Sequence, residues 1–148
     1  LMKPYPFIGA LLLLASCGKT MSPPTPEENP AFSIQPVQFN VYADPRRRTN
    51  RPAEAQAGLR LAILYSKIGQ SVPTIVWDTL LSARPVVEYP APKQPMLIET
   101  AVPVQRETYG YYHITVHKIY RFSHQVVVDD HTCALANNTE TFQLEIGL

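Results

Sequence analysis

The stretch GYYHITVHKIYRF, residues 110 to 122, constrains this chain more than any other. Its apolar residues recur at every second position. Tyr112, Ile114, Val116, Tyr120 and Phe122 share one face, interrupted by Lys118, and Tyr111, His113, Thr115, His117, Ile119 and Arg121 share the other. A period of two is the repeat of a β-strand, in which successive side chains point to opposite faces. The β-branched Ile114, Thr115 and Val116 favour the same conformation.

The period continues elsewhere. VQFNVY sets Val37, Phe39 and Val41 against Gln38, Asn40 and Tyr42, and LRLAILY groups Leu59, Leu61, Ile63 and Tyr65. TIVWDTLL, which holds the only tryptophan, Trp77, reads the same way, as do MLIETAVPV and TFQLEI. Between these runs stand the breakers ADPRRRTNRP, SARP, YPAPKQP, RETYG and DDHTCALANN. Short strands separated by turn chemistry predict an all-β fold: a single antiparallel β-sandwich of about seven strands. Trp77 and Tyr112 are expected in its core on different strands, with Tyr111 facing outward. RPAEAQAGLRLAIL is the one exception, since its Ala and Glu content admits a helical turn or two before Gly58.

GYYHITV resembles the G-x-Y-x-V sequence of bacterial immunoglobulin-like and transthyretin-like (prealbumin-like) sandwich domains. In those domains a Gly turn feeds a strand whose Tyr packs inward. The resemblance implies that Gly110 and Tyr112 take those places. The paired cysteines of antibody domains are absent.

The start of the chain carries an address. Met2 and Lys3 precede an apolar run, Phe7 to Leu14, too short to span a hydrocarbon core as a helix, which takes about 20 residues. A basic start, a brief apolar region and small residues describe an export signal. The run closes in LASC, Leu14 to Cys17, which resembles the lipobox of bacterial lipoproteins. That resemblance implies a diacylated Cys17 as the first mature residue. It divides the chain into a signal peptide (1–16), a lipidated Cys with a proline-rich tether (17–31) and a sandwich domain (32–148). Four of the 15 prolines fall in SPPTPEENP, an extended and semi-rigid composition. Roughly 14 residues at about 3.1 Å each reach on the order of 40 Å. Gly18 follows the Cys, and the first acidic residues after it are Glu27 and Glu28. The sorting signals that resemble an Asp after the Cys, or an early acidic run, are both missing. The expected location is the outer membrane, facing the periplasm.

Of the 13 basic residues, Lys3 falls in the signal, and the rest balance the 12 acidic ones. No bulk charge draws the mature chain to nucleic acid. Its expected partners are the membrane, through the N-terminal lipid, and another envelope protein or a glycan. With Cys17 acylated, Cys133 stands alone, so the fold rests on its hydrophobic core without a disulfide.

Few residues suggest chemistry. His113 and His117 in HITVH would share a zinc ion on a helix, but on a strand they lie about 13 Å apart. Metal–nitrogen bonds are roughly 2 Å, so one ion cannot join them. In DDHTC, His131 and Cys133 would share a face about 7 Å apart if extended, suited to a soft metal. A closed site needs about four ligands, so histidines of a neighbouring strand would have to help. Arg46, Arg47, Arg48 and Arg51 gather in one loop, where guanidiniums suit phosphates or carboxylates. DTL, Asp78 to Leu80, and NNT, Asn137 to Thr139, match short O- and N-glycosylation signals. No cofactor is implied, and no set of catalytic groups converges locally. The sequence therefore reads as a lipid-anchored envelope protein with a binding or structural module rather than an enzyme. The alternative is a metal-binding or redox-active lipoprotein using His131 and Cys133.

Overall fold

The run at 110–122 forms one strand with the bounds its alternation predicts, and the rest of the fold is arranged around it. The computed structural model describes residues 32–48, 52, 54–105, 109–136 and 140–148. Seven strands follow in order: β1 (Phe32–Tyr42), β2 (Gln56–Lys67), β3 (Thr74–Pro85), β4 (Met96–Gln105), β5 (Gly110–Phe122), β6 (Gln125–Ala134) and β7 (Phe142–Gly147). A helical turn, α1 (Pro45–Arg48), follows β1, and a 3-10 turn spans Val86–Glu88. The strands form a three-stranded sheet, β4-β1-β7, and a four-stranded sheet, β3-β2-β5-β6. The chain is an all-β sandwich, as its periodicity requires.

In β1, β2 and β5 the inward face is largely the apolar one. Val37, Phe39 and Val41 of β1 join Leu59, Leu61 and Ile63 of β2 and Ile114 and Val116 of β5 in one buried cluster. Burying each such side chain contributes roughly 1.5–3 kcal/mol. Two tyrosines tie the layers together. The Tyr112 hydroxyl accepts the Gln105 N–H of the opposite sheet at 3.1 Å, while its carbonyl accepts the Leu135 N–H at 2.9 Å. The Tyr89 hydroxyl donates to the Ala57 carbonyl at 2.9 Å, under the Arg84 guanidinium, which lies 4.1 Å from the Tyr89 ring centre. Gly110 opens β5 where the Tyr65 ring covers the backbone; a Cβ there would collide with that ring. The same Tyr65 ring packs on Tyr112, with centroids 4.9 Å apart.

The structure departs from the sequence expectations at five points. First, β1 and β7 run parallel, whereas the other ladders are antiparallel. Second, DDHTCA is the second half of strand β6 rather than a breaker. Third, among the described residues from 52 to Gly58 none is helical. The Ala55 N–H closes a turn on the Pro52 carbonyl at 3.0 Å, and β2 starts at Gln56. Fourth, SARP belongs to β3, which continues through Pro85 past a register shift opposite Ala57 and Leu59. Fifth, Trp77 is half-buried, because β3 lies at the edge of its sheet. It stacks on Phe39 of the facing sheet, with centroids 5.6 Å apart and ring planes 10° apart. Tyr112 is buried as expected.

Lys118, the interruption in the apolar face of β5, has a simple resolution. It lies opposite Asp129 of β6, and its Nζ sits 3.8 Å from Asp129 Oδ2. Its side chain is only 12% exposed, so the stem covers apolar surface while the ammonium reaches a carboxylate at the rim.

Candidate functional site

Each sheet turns one face to the core and one outward, and the outward faces carry most of the polar side chains that chemistry would need. On the three-stranded sheet, β1 sits between β4 and β7. Gln38 therefore lies between Glu99 and Gln143, and Asn40 between Leu97 and Glu145. Gln38 Nε2 donates to Asn40 Oδ1 at 2.8 Å, and Asn40 Nδ2 donates to Glu145 Oε1 at 2.5 Å. This chain of bonds crosses two strands and leaves Asn40 almost wholly buried on a face that sequence alternation marks as outward. Beside it, Pro36, Gln38, Glu99, Ala101 and Thr141 border a hollow of about 390 Å³. Fixed amides and carboxylates on a rigid sheet can donate to and accept from the hydroxyls or amides of a ligand.

The outward face of the four-stranded sheet is charged. Arg60 of β2 lies opposite His117 of β5, which in turn lies opposite Asp130 of β6. His117 Nδ1 is 2.6 Å from Asp130 Oδ1, and the Arg60 guanidinium is 3.6 Å from Asp78 Oδ2. A carboxylate on Nδ1 fixes an imidazole's orientation. Both pairs are substantially exposed, so each contributes roughly 0–1 kcal/mol. His113 shares this face, with Nδ1 3.5 Å from Ser66 Oγ and its ring 5.7 Å from that of Tyr111.

The residues singled out in the sequence fall as follows. His113 and His117 lie on one strand and one face, as the strand reading requires. His131 and Cys133 lie on β6 opposite Val116 and Ile114, on the side of the sheet away from His113 and His117. Register thus places apolar residues, not further ligands, beside them. Burial pushes the Cys133 thiol above its ordinary pKa, which opposes the thiolate that a metal or a nucleophilic role needs. Among the described residues no three His, Cys, Asp or Glu side chains group as a metal site. Arg46 is exposed on α1; its N–H donates to Asp44 Oδ1 at 3.0 Å and its Nε lies 3.5 Å from the same oxygen. Arg47 and Arg48 complete that turn. Asp78, of the DTL signal, is exposed on β3. Arg51, Cys17 and Asn137 to Thr139 lie outside the described residues.

The polar chain Gln38–Asn40–Glu145 and the row Arg60–His117–Asp130 were not evident as groups in the sequence. Each joins residues far apart in the chain, brought together only by strand register. Compared with protein-family models, with curated proteins and with solved structures, the chain matches none.

Proposed function

We propose that this chain is a lipid-anchored protein of the bacterial cell envelope whose sandwich serves as a binding or structural module. The observation that carries the reading is the order of its parts. An apolar run ends in LASC, a proline-rich segment follows, and strand β1 opens at Phe32, directly where that segment stops. A tether with a reach on the order of 40 Å suits a domain held clear of lipid headgroups. The polar outward face around Gln38, Asn40, Glu99 and Glu145 offers hydrogen bonds to an envelope glycan or protein. The exposed Arg46 turn offers a cation to an acidic group.

Strand order supports the transthyretin-like rather than the immunoglobulin-like member of the two resemblances. In immunoglobulin domains the second and third strands belong to different sheets. Here β2 and β3 are paired neighbours.

The test is fractionation of cells producing wild-type or Cys17→Ser protein, with mass measurement of the N-terminal peptide. The wild type is expected in the membrane fraction with acyl mass on Cys17, and the variant without that mass and released from the membrane as anchoring is lost. Equal partitioning with no acyl mass on either would overturn the anchor. Protease treatment of intact cells should leave the domain intact if it faces the periplasm.

A further inference from the structure

We propose that one end of the sandwich, formed by the β2–β3 turn and the start of β5, rests in the surface of the bilayer that holds the lipid. Ile68, Val72 and Tyr109 would lie among the headgroups and upper acyl chains. The inference rests on the lipid anchor proposed above and adds where the anchored domain goes.

Local chain chemistry builds the tip. The Gln70 N–H closes a turn on the Lys67 carbonyl at 3.1 Å, and Gly69, at φ 87°, supplies the left-handed residue that such a turn needs at its third place. Ile68 takes the second place. Its N–H bonds to the Tyr109 carbonyl at 2.8 Å, which ties this turn to the residue before β5. Val72, Ile68 and Tyr109 are 74, 70 and 67% exposed, and none belongs to the core cluster. Val72 and Ile68 are the most exposed large apolar side chains among the described residues. Single exposed apolar residues are ordinary, but a group of them on one projection marks a contact.

The composition of the tip favours lipid as the occupant. Aliphatic side chains suit the acyl region, and a tyrosine ring suits the headgroup level, with its hydroxyl in water. Residues 68–73 include no acidic residue, and the flanking Lys67 is exposed, free to lay its stem on the surface with its ammonium among phosphates. Glu140 is set back from the tip. Its carbonyl accepts from the Gln35 amide, and Gln35 lies three residues, about 10 Å, inside the start of β1. The opposite end of the sandwich exposes Arg46, Glu88 and Lys93, which are costly to remove from water.

The point where the tether enters selects the same end. Phe32, the first residue of β1, pairs with Gln105, the last of β4. The Gln105 N–H bonds to the Tyr112 hydroxyl of β5, and Gly110, where β5 starts, pairs with Lys67, where β2 stops. Residues 18–31 therefore join Cys17 to the apolar end of the domain. A tether able to hold the domain clear of the headgroups also lets this end return to them. With the lipid already in the bilayer, the second contact is intramolecular, so a small apolar tip is enough. End-on contact leaves the outward faces of both sheets open to a glycan or protein.

The test reads depth, with the full lipidated chain reconstituted into protein-free vesicles of phosphatidylethanolamine and phosphatidylglycerol. Val72→Trp is compared with Lys93→Trp at the opposite end, Trp77 supplying the same background in both, and emission is quenched by lipids brominated near the top of the acyl chain. Quenching of the added tryptophan is expected to be at least about threefold stronger at 72 than at 93. Adding Ile68→Asp and Tyr109→Asp is expected to cut the quenching at 72 by roughly threefold or more, without changing the melting temperature, since both side chains are exposed. Equal quenching at 72 and 93, whatever the acyl mass on Cys17, would overturn the inference, as would quenching at 72 indifferent to the aspartates. A protein rather than lipid as the occupant of the tip would give that first result. Missing acyl mass with preferential quenching at 72 would overturn the anchor and leave the tip standing.

Discussion

β5 and β6 are the two arms of one hairpin, joined at Ser123 and His124, yet they carry different kinds of information. β5 lies between β2 and β6, with one face on the core and one outward, and its burial alternates almost throughout. β6 has a neighbour on one side only, and nearly all its residues are exposed. Alternation in a sequence is a record of one-sided burial. A strand that buries neither face has no need to write it. Its second half, DDHTCA, therefore looks like a turn, while its run of valines is a signal of strand propensity without a period.

The comparison is broken most directly by substitution. Ile114 is fully buried on β5, and Ile114→Ala is expected to cost about 2–5 kcal/mol in urea denaturation. Thr132, exposed on β6, should tolerate Thr132→Ala within about 0.5 kcal/mol. Similar costs at the two positions would mean that the two strands are equally embedded.

Cys133 sharpens the same contrast by a smaller effect. It is the one half-buried residue in the second half of β6 after Asp129, and burial raises its thiol pKa. A raised pKa means that the folded state holds the proton longer than the unfolded chain does. The corresponding stability is therefore fully present below the unfolded thiol value, roughly 8.5, and is lost as pH rises through the higher folded value. Wild type should lose more stability than Cys133→Ala on titration to alkaline pH, by pH-dependent denaturation. Identical pH profiles would place Cys133 in solvent.

Much of the fold was legible because the core faces of β1, β2 and β5 carry apolar residues at nearly every second position. Their residues meet a large, continuous core, so each position has one acceptable side. What escaped the sequence depends on partners distant along the chain. Nothing local marks β7 as a parallel neighbour of β1, and that pairing alone brings Asn40 to Glu145 and buries it. Trp77 was expected to be deeply buried from its apolar neighbours. Sheet order puts β3 at an edge, where the half-buried ring packs against the core and stacks on Phe39. The candidate residues fared according to the same logic. His113 and His117 were placed correctly by period alone, whereas the surroundings of His131 and Cys133 required the register of β5 against β6.

The central claim is that β5 is an interior strand and β6 an edge strand bonded on one side. Residue-resolved amide hydrogen exchange tests it most directly. The account predicts slow exchange along the whole of β5. In β6 it predicts alternation, because the Leu135 N–H bonds to the Tyr112 carbonyl and every second residue back along the strand pairs with β5 in the same way: residues 127, 129, 131 and 133 slow and residues 128, 130 and 132 fast. Uniformly fast exchange through 125–134, or fast exchange at every second residue of β5, would contradict it.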